Sequence, residues 1–207
     1  MPDPTPAPDM PSEPSTLEIL GAAAAALVGA ERLDDGLAAL LAATAASLGA
    51  EGGAVLLADP DREGLVAGAS HRIDAESLLA LTAAATEDGH ALRQSLSRRT
   101  ITETEDSVYA PLVVRREGGH VSLGVLALDR TGRAPLSAVE RRVLNAAADL
   151  TAAVVDRARL GSLALERSDW FQRVSHTDPL TGLANGRTFG RVLELELARA
   201  GRQRGEI

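Results

Sequence analysis

The side chains that most often do chemistry in proteins are scarce in this sequence. It contains no cysteine, which excludes disulfides, thiolate zinc sites and cysteine nucleophiles. Its 21 Lys-plus-Arg positions are all arginine, so a lysine Schiff base and a P-loop lysine are excluded as well. Between residues 17 and 160 we find no convincing nucleophile, base or metal cluster. The sequence therefore predicts a regulatory or binding role for that region.

Charge and aromatic content argue against nucleic acid as a partner. The net charge is −8, and the chain has only two Phe, one Trp and one Tyr to stack on bases. The charge is uneven, because residues 1–136 carry a net −10 and residues 137–207 a net +2. This asymmetry predicts two parts of different character.

The N-terminus has the composition of a disordered tail. Residues 1–16 hold six of the ten prolines and no aliphatic core residue. The stretch lacks the apolar region of a secretory signal, and the following Leu17–Ala30 run is too short and too weakly apolar to span a bilayer. We expect no membrane span and a cytoplasmic location.

Hydrophobic periodicity predicts two helices followed by two hairpins with a helical stretch between them. The first helix begins at Ser15 or Thr16, and the second is expected to stop at Gly49. The remaining predicted elements are a hairpin of Gly53–Ala58 and Leu65–Ser70, helix between Asp74 and Arg99 with a break at Gly89, and a hairpin of Ser107–Arg115 and His120–Asp129.

A long helix is predicted from Ser137, because no proline follows Pro135 until Pro179. It carries a seven-residue repeat in which eight of ten a and d positions are apolar. The simpler alternative is a helix that packs only on its own sheet, but its length favours a parallel homodimeric coiled coil in which two arginines weaken the seam. The a and d residues are Val143, Ala146, Leu150, Ala153, Arg157, Leu160, Ala164, Arg167, Phe171 and Val174.

This order of elements, and the segment VYAPLVV–SLGVLALD–APLSAVERRVLNAAADLTAAVV, resembles the GAF family of sensory domains. The resemblance implies an α+β fold with an antiparallel sheet flanked by helices, here followed by a long C-terminal coiled-coil signalling helix. It implies that Pro111 lies beside the binding pocket, that Gly124 permits close approach at the sheet and that Ser137 caps the exit helix. The expected ligand, if any, is an unidentified small molecule. The polar pocket candidates between sheet and helices are Ser70, His71, His90, Arg93 and Tyr109.

A second motif follows the long helix. The run Asp178-Pro179-Leu180-Thr181-Gly182-Leu183-Ala184-Asn185, with Arg187 and Phe189 after it, resembles the start of GGDEF domains, the diguanylate cyclases. Gly186 departs from the family, which commonly has Arg there. Asp178 is expected to fix the loop by hydrogen bonding. The defining residues are Asp178, Leu180, Thr181, Gly182, Leu183 and Asn185.

The expected organisation is a tail at 1–16, a GAF core at 17–136, an exit and signalling helix at 137–176 and the start of a GGDEF domain at 177–207. The family's metal-binding and GG(D/E)EF residues lie downstream of Ile207, so the chain as given has no catalytic residues, metal or cofactor of its own, and a longer parent would need GTP and Mg²⁺. The sequence thus predicts a homodimeric sensor that relays a signal to a cyclase. The alternative is a ligand-free GAF dimerisation scaffold.

Overall fold

The computed structural model describes residues 32–59, 64–178 and 180–203, together with isolated positions between 18 and 30. The tail expected at 1–16 lies outside the described residues, as do the side chains of 169–175, which include Phe171 and Val174. The elements are α1 (Leu33–Ser47), β1 (Gly52–Ala58), β2 (Leu65–His71), α2 (Ala75–Ala84), α3 (Ala91–Arg98), β3 (Thr102–Glu103), β4 (Ser107–Arg116), β5 (Gly119–Asp129), α4 (Ala138–His176) and α5 (Gly186–Gln203).

The chain divides into two units. The first unit ends at Asp156 and the second begins at Arg157, so α4 starts in the first and ends in the second.

The first unit is built on one five-stranded antiparallel sheet. Its strand order is β2-β1-β5-β4-β3, with every neighbouring pair antiparallel. Both predicted hairpins are present as β1–β2 and β4–β5. Strand β3 has only two residues, too few to give a periodic signal, and the sequence did not predict it. The predicted α+β fold with a sheet flanked by helices is confirmed.

Successive side chains along a strand point to opposite faces of the sheet, so the strands place core residues on both faces. On β5, Leu126 and Leu128 join one cluster with residues of α1 and α4, such as Leu41 and Leu144. The intervening Val125 and Ala127 join a second cluster with residues of α2 and α3, including Leu92. The sheet is therefore covered on both sides.

Glycines set the close contacts and breaks that the sequence analysis expected. A Cβ on Gly124 would lie 2.0 Å from the backbone oxygen of Leu56 on the neighbouring strand β1, so only glycine fits there. The predicted close approach at Gly124 is confirmed. Gly89, with φ of 86°, separates α2 from α3 as predicted.

Helix α4 begins with a reciprocal capping pair. The Glu140 backbone N–H donates to Ser137 Oγ at 3.2 Å, and the Ser137 N–H donates to Glu140 Oε2 at 2.8 Å. Ser137 therefore caps the exit helix, as predicted. The pKa of Glu140 is lowered, chiefly by the hydrogen bonds from Ser137 and further by the charge of Arg130. The parallel coiled coil involves a second chain and stays a prediction.

Candidate functional site

A cavity of about 360 Å³ opens at one end of the sheet, between the sheet and α2. Its volume lies near the lower limit of ordinary ligand pockets, which is about 300 Å³. Four stretches of chain meet there: the loop from β2 to α2, the first turns of α2, the start of β4 and the end of β5. The lining residues are Arg72, Ile73, Asp74, Ser77, Leu81, Asp106, Ser107, Tyr109, Ala127, Leu128, Asp129 and Thr131.

The register of the sheet explains why these stretches converge. Asp129 at the end of β5 pairs with Gly52 on one side and Ser107 on the other, so strand ends from distant parts of the sequence meet at one edge. A Cβ on Gly52 would lie 2.8 Å from the backbone oxygen of Arg72. Gly52 thus leaves room for Arg72, whose φ of 51° is in the left-handed region.

Three carboxylates line the cavity, and two of them are held by local hydrogen bonds. Asp74 caps α2: its Oδ1 accepts from the Ser77 backbone N–H at 2.7 Å. This bond, assisted by the Ser77 hydroxyl, lowers the pKa of Asp74, so the group is ionised at neutral pH. Asp129 Oδ1 accepts from the Thr131 hydroxyl at 2.7 Å and from its backbone N–H at 3.1 Å.

Two charged side chains in the lining make no such hydrogen bonds. The carboxylate of Asp106 and the guanidinium of Arg72 have no hydrogen-bond or ion-pair partner among the described residues. Both side chains belong to exposed residues. They are therefore one anion and one cation available to a ligand.

Tyr109 is the buried polar residue of the cavity, with only 4% of its surface exposed. Burial raises the pKa of its phenol, the charge of Asp129 raises it further, and a hydrogen bond with Ser107 opposes the shift. The phenol is consequently neutral at physiological pH. Its ring meets the imidazole of His90 edge-on, with 5.8 Å between ring centroids.

Of the five pocket candidates chosen from the sequence, the structure places Tyr109 in the cavity lining. Ser70 and His71 lie at the end of β2, just before Arg72. His90 caps α3, since its Nδ1 accepts from the Leu92 backbone N–H at 3.2 Å. Arg93 pairs with Asp88 at 3.3 Å and donates to the Thr86 backbone oxygen at 2.7 Å, outside the lining.

Pro111 lies further along β4, where it pairs with Val125, and is likewise not a lining residue. Sequence reasoning missed four charged residues of the cavity. These four residues share a position in the fold, because each lies next to the end of a strand or the start of a helix. This pattern can be recognised only when the strand order is known. They are Arg72, Asp74, Asp106 and Asp129.

No group of three or more His, Asp or Glu side chains is placed to hold a metal ion within the part of the chain that the structure describes. None of the helices described there is both long enough and apolar enough to cross a bilayer.

The long helix α4 has two apolar stripes. The inner stripe is buried in the core of the first unit, and it consists of Leu144, Ala147, Ala148, Thr151, Ala152 and Val155. Its one hydroxyl is satisfied, because Thr151 donates to the Ala147 backbone oxygen at 2.7 Å. At 3.6 residues per turn, the predicted heptad seam lies on the opposite side of the helix.

Most of the described seam residues of α4 are exposed in a single chain. Val143 and Leu150 are half-buried, whereas Ala146, Ala153, Arg157, Leu160, Ala164 and Arg167 are exposed. Val139, one heptad before Ala146, extends the stripe and is exposed as well.

In the second unit, Asp178 organises the loop between α4 and α5. Its Oδ1 accepts from the backbone N–H groups of Leu180 and Thr181 at 3.1 and 3.0 Å and from the Thr181 hydroxyl at 3.0 Å. These bonds lower the pKa of Asp178, with those from Thr181 contributing most. Gly182 has a left-handed φ of 69°, and Asn185 caps α5 by accepting from the Thr188 N–H at 2.9 Å.

The apolar members of this loop and of α5 are exposed. Leu180 is 93% exposed, and Leu183 and the apolar residues of α5 are also largely at the surface: Phe189, Val192, Leu193, Leu195 and Leu197. The polar motif residues therefore shape the loop, while the apolar ones are left without cover among the described residues.

Comparison with known proteins bears on the first unit. The family model described as GAF domain matches residues 32–157. The fold is similar to the GAF domain of a phosphoenolpyruvate-protein phosphotransferase from Coxiella burnetii, with a TM-score of 0.60, 15% identity, and coverage of 72% of this chain and 97% of that one. The corresponding Acinetobacter domain gives a TM-score of 0.57, 16% identity, and coverage of 70% and 94%.

Residues 122 to 287 of a methyl-accepting chemotaxis protein give a TM-score of 0.52 at 18% identity, with coverage of 67% of this chain and 97% of that one. At such low identities the likeness concerns the fold alone. No curated protein matches this chain.

Proposed function

This chain belongs to the GAF domain family, and from that premise we propose that it is the cytoplasmic sensory module of a diguanylate cyclase. In this proposal the first unit binds a small molecule, and two copies pair through α4. The paired helices relay the signal to GGDEF domains that make cyclic di-GMP from two GTP. GAF folds are typical of signalling proteins, which makes a sensory role the natural starting point.

The observation that carries the proposal is the division of α4 into two opposite stripes. The inner stripe is buried in the core of the first unit, and of the described outer-stripe residues Val143 and Leu150 alone pack against that core. Yet the outer stripe keeps apolar residues at heptad spacing from Val139 to Leu160, interrupted by Arg157. A second α4 in parallel register would bury these residues against their own copies.

Two arginines make this seam suitable for switching. Arg157 and Arg167 occupy a and d positions and are exposed, so a tight seam would have to accommodate their charges. A seam weakened in this way can have two packings that differ by only a few kcal/mol, and a ligand could select between them. The signal is then transmitted by a change in how the two helices pack, and neither helix has to unfold.

The loop and helix after α4 support the effector part of the proposal. Asp178, Thr181, Gly182 and Asn185 act together to fix one loop geometry, which gives a structural reason for the motif that resembles the start of GGDEF domains. The exposed apolar face of α5 suits a helix that packs on further structure. Cyclic di-GMP needs two GTP, each held by one subunit with Mg²⁺, so a dimer helix is a natural control point.

The cavity favours a sensor over the alternative, a ligand-free dimerisation scaffold. A scaffold would be expected to fill the space between sheet and helices with its own side chains. Here about 360 Å³ remains open beside charged groups that have no partner among the described residues.

The dimer is tested by light scattering of the eluted full chain with two matched variants. Leu160→Glu places a charge in the seam, and Leu165→Glu places the same charge at heptad position b of the same helix, where the wild-type residue is 69% exposed. We expect twice the single-chain mass of 21.5 kDa for the wild type and for Leu165→Glu, and the single-chain mass for Leu160→Glu. A monomeric wild type would contradict the proposal.

The effector is tested separately by the coding sequence that follows Ile207. An intact GG(D/E)EF segment, and cyclic di-GMP formation from GTP and Mg²⁺ by the longer protein, would support it. A stop codon directly after Ile207 would refute the cyclase assignment and leave the sensor in place.

A further inference from the structure

The cavity presents opposite charges that lack partners. Arg72 offers up to five N–H donors in a fixed planar fork that suits a carboxylate, and none of them is used by a described residue. Asp106 offers two acceptor oxygens, also unused by described residues. A ligand that satisfies both groups carries one negatively charged and one positively charged group.

The rest of the polar lining suits an ammonium group. Asp74 and Asp129 add two negative charges, which gives the lining a net charge of −2 with Asp106 and Arg72. Asp129 lies two residues along β5 from Ala127, the residue that pairs with Tyr109, and its charge raises the pKa of that buried phenol. An ammonium donates three hydrogen bonds in different directions and can use oxygens from separate segments.

The remaining lining limits the body of the ligand. Ile73 and Leu81 pack against the cluster that contains Ala127, and these three lining residues offer no polar side-chain group. The volume of about 360 Å³ suits a small molecule. The lining therefore matches a short aliphatic body with charges at one end.

The backbone at Arg72 adds an independent sign of function. Within the described residues only Arg72 and Arg99 are non-glycine residues with positive φ. Arg99 ends α3 as its C-cap, whereas Arg72 lies in the loop between β2 and α2, at the cavity. Left-handed backbone in a non-glycine residue is uncommon, and such residues are more frequent at ligand-binding and active sites than elsewhere.

We propose that this cavity binds a small aliphatic α-amino acid as a zwitterion, with its carboxylate on Arg72 and its ammonium on Asp106 and Asp129. This assignment rests on the proposed sensory function and gives it a ligand class. The aliphatic side chain lies against Ile73, Leu81 and Ala127.

The test is calorimetric titration of the full chain with L-valine, L-leucine and L-isoleucine. Two analogues of leucine test the contribution of each charged group to binding. 4-Methylpentanoate lacks the ammonium of leucine, and 3-methylbutylamine lacks its carboxylate. We expect at least one of the three amino acids to bind, and each analogue to bind at least about tenfold more weakly than leucine if leucine is the ligand. Valine and isoleucine are compared with their own des-amino and des-carboxy analogues in the same way.

Two substitutions assign the groups, each with a matched control. Asp106→Asn and Arg72→Asn should each weaken binding about 10- to 100-fold, the range expected for losing a hydrogen bond between charged groups. Asparagine tolerates the left-handed backbone at residue 72. The controls are Glu105→Gln, an exposed neighbouring carboxylate outside the cavity, and Arg99→Asn, the other left-handed arginine, and both should bind as the wild type does.

Three results would overturn the proposal: none of the amino acids binds, the amine binds as tightly as its amino acid, or Arg72→Asn has no effect. Native mass spectrometry of the purified chain separates this failure from failure of the sensory role. A co-purified compound of another class would refute the amino acid and leave the sensor standing. If no probe binds and no compound co-purifies, both the ligand class and the sensory role fall.

Discussion

The two units of this chain treat their apolar residues in opposite ways. In the first unit, Leu41, Leu126 and Leu144 are fully buried, and the sheet is covered on both faces. In the second unit, the large apolar residues whose side chains are described, such as Leu183 and Phe189, are mostly exposed. Both units contain amphipathic helices, so amphipathic sequence alone does not tell whether a helix has found its partner surface.

The difference shows where each unit obtains its stability. The first unit has a hydrophobic core of its own on each face of its sheet. The second unit is held mainly by local hydrogen bonds at Asp178 and Asn185, together with helix formation in α5. Substitutions of the same kind should therefore have different consequences in the two units.

The largest difference is expected for leucine truncation. Leu144→Ala removes a fully buried side chain from the inner stripe of α4 and should lower the free energy of unfolding by about 2–5 kcal/mol. Leu195→Ala in α5 removes a side chain that is mostly exposed and should change it by less than about 0.5 kcal/mol. Urea unfolding followed by circular dichroism measures both. Equal losses would contradict the contrast between the units.

A glycine-to-alanine exchange should have opposite signs in the two units. Gly124→Ala forces a Cβ against the backbone of β1 and should destabilise the first unit by about 1–3 kcal/mol. Gly190→Ala meets no atom within 4 Å and replaces a poor helix former inside α5, so it should favour that helix by about 1 kcal/mol.

The readouts for this pair are the urea midpoint for Gly124→Ala and the far-ultraviolet helical signal for Gly190→Ala. A neutral Gly124→Ala would mean that β1 and β5 are further apart than the structure places them.

Lowering the pH should affect the stability of the two units differently, and this is the smallest of the expected effects. The pKa of Glu140 is held below its ordinary value of 4.5 in the folded protein, so this group stabilises the fold above that value and its contribution is lost as the pH falls below 4.5. Glu140→Gln should cost about 1 kcal/mol at pH 7, because the Arg130 side chain is buried while that of Glu140 is 33% exposed, and the difference from wild type should shrink as the pH falls below 4.5.

Asp178→Asn serves as the comparison in the second unit. The pKa of Asp178 is also lowered, but its hydrogen bonds hold a local loop, so unfolding of the first unit should follow the wild-type pH curve. A Glu140→Gln protein that keeps the wild-type pH dependence would show that the capping pair contributes no pH-dependent stability.

The sequence predicted the elements well because their signals are local. Helical periodicity located α1 and α4, strand alternation located both hairpins, and Gly89 and Ser137 marked a break and a cap. The two-residue strand β3 was missed because such a short stretch has no period. For α4, the heptad pattern found the outer stripe, whereas the inner stripe from Leu144 to Val155 contains small residues and a threonine and gave no comparable signal.

The cavity was harder to predict because its residues are not neighbours in sequence. Arg72, Asp106 and Asp129 come from three segments that meet only through the strand order β2-β1-β5-β4. Single-sequence patterns carry no information on that order. The resemblance to the GAF family directed attention to the space between the sheet and the helices, where Tyr109 lines the cavity. The charges that would select a ligand depend on tertiary structure.

The central claim is that the outer stripe of α4 joins two copies of this chain in parallel register. The sequence has no cysteine, so a disulfide formed after one cysteine is introduced can join only the introduced residues of two chains. Ala153→Cys lies at a d position and Asn145→Cys on another exposed side of the same helix. A disulfide needs Cα atoms within about 7 Å, which a parallel seam provides only for residue 153.

After mild oxidation, non-reducing electrophoresis should show Ala153→Cys mainly as a linked dimer and Asn145→Cys as a single chain. Failure of Ala153→Cys to link, or equal linking of both variants, would contradict the claim.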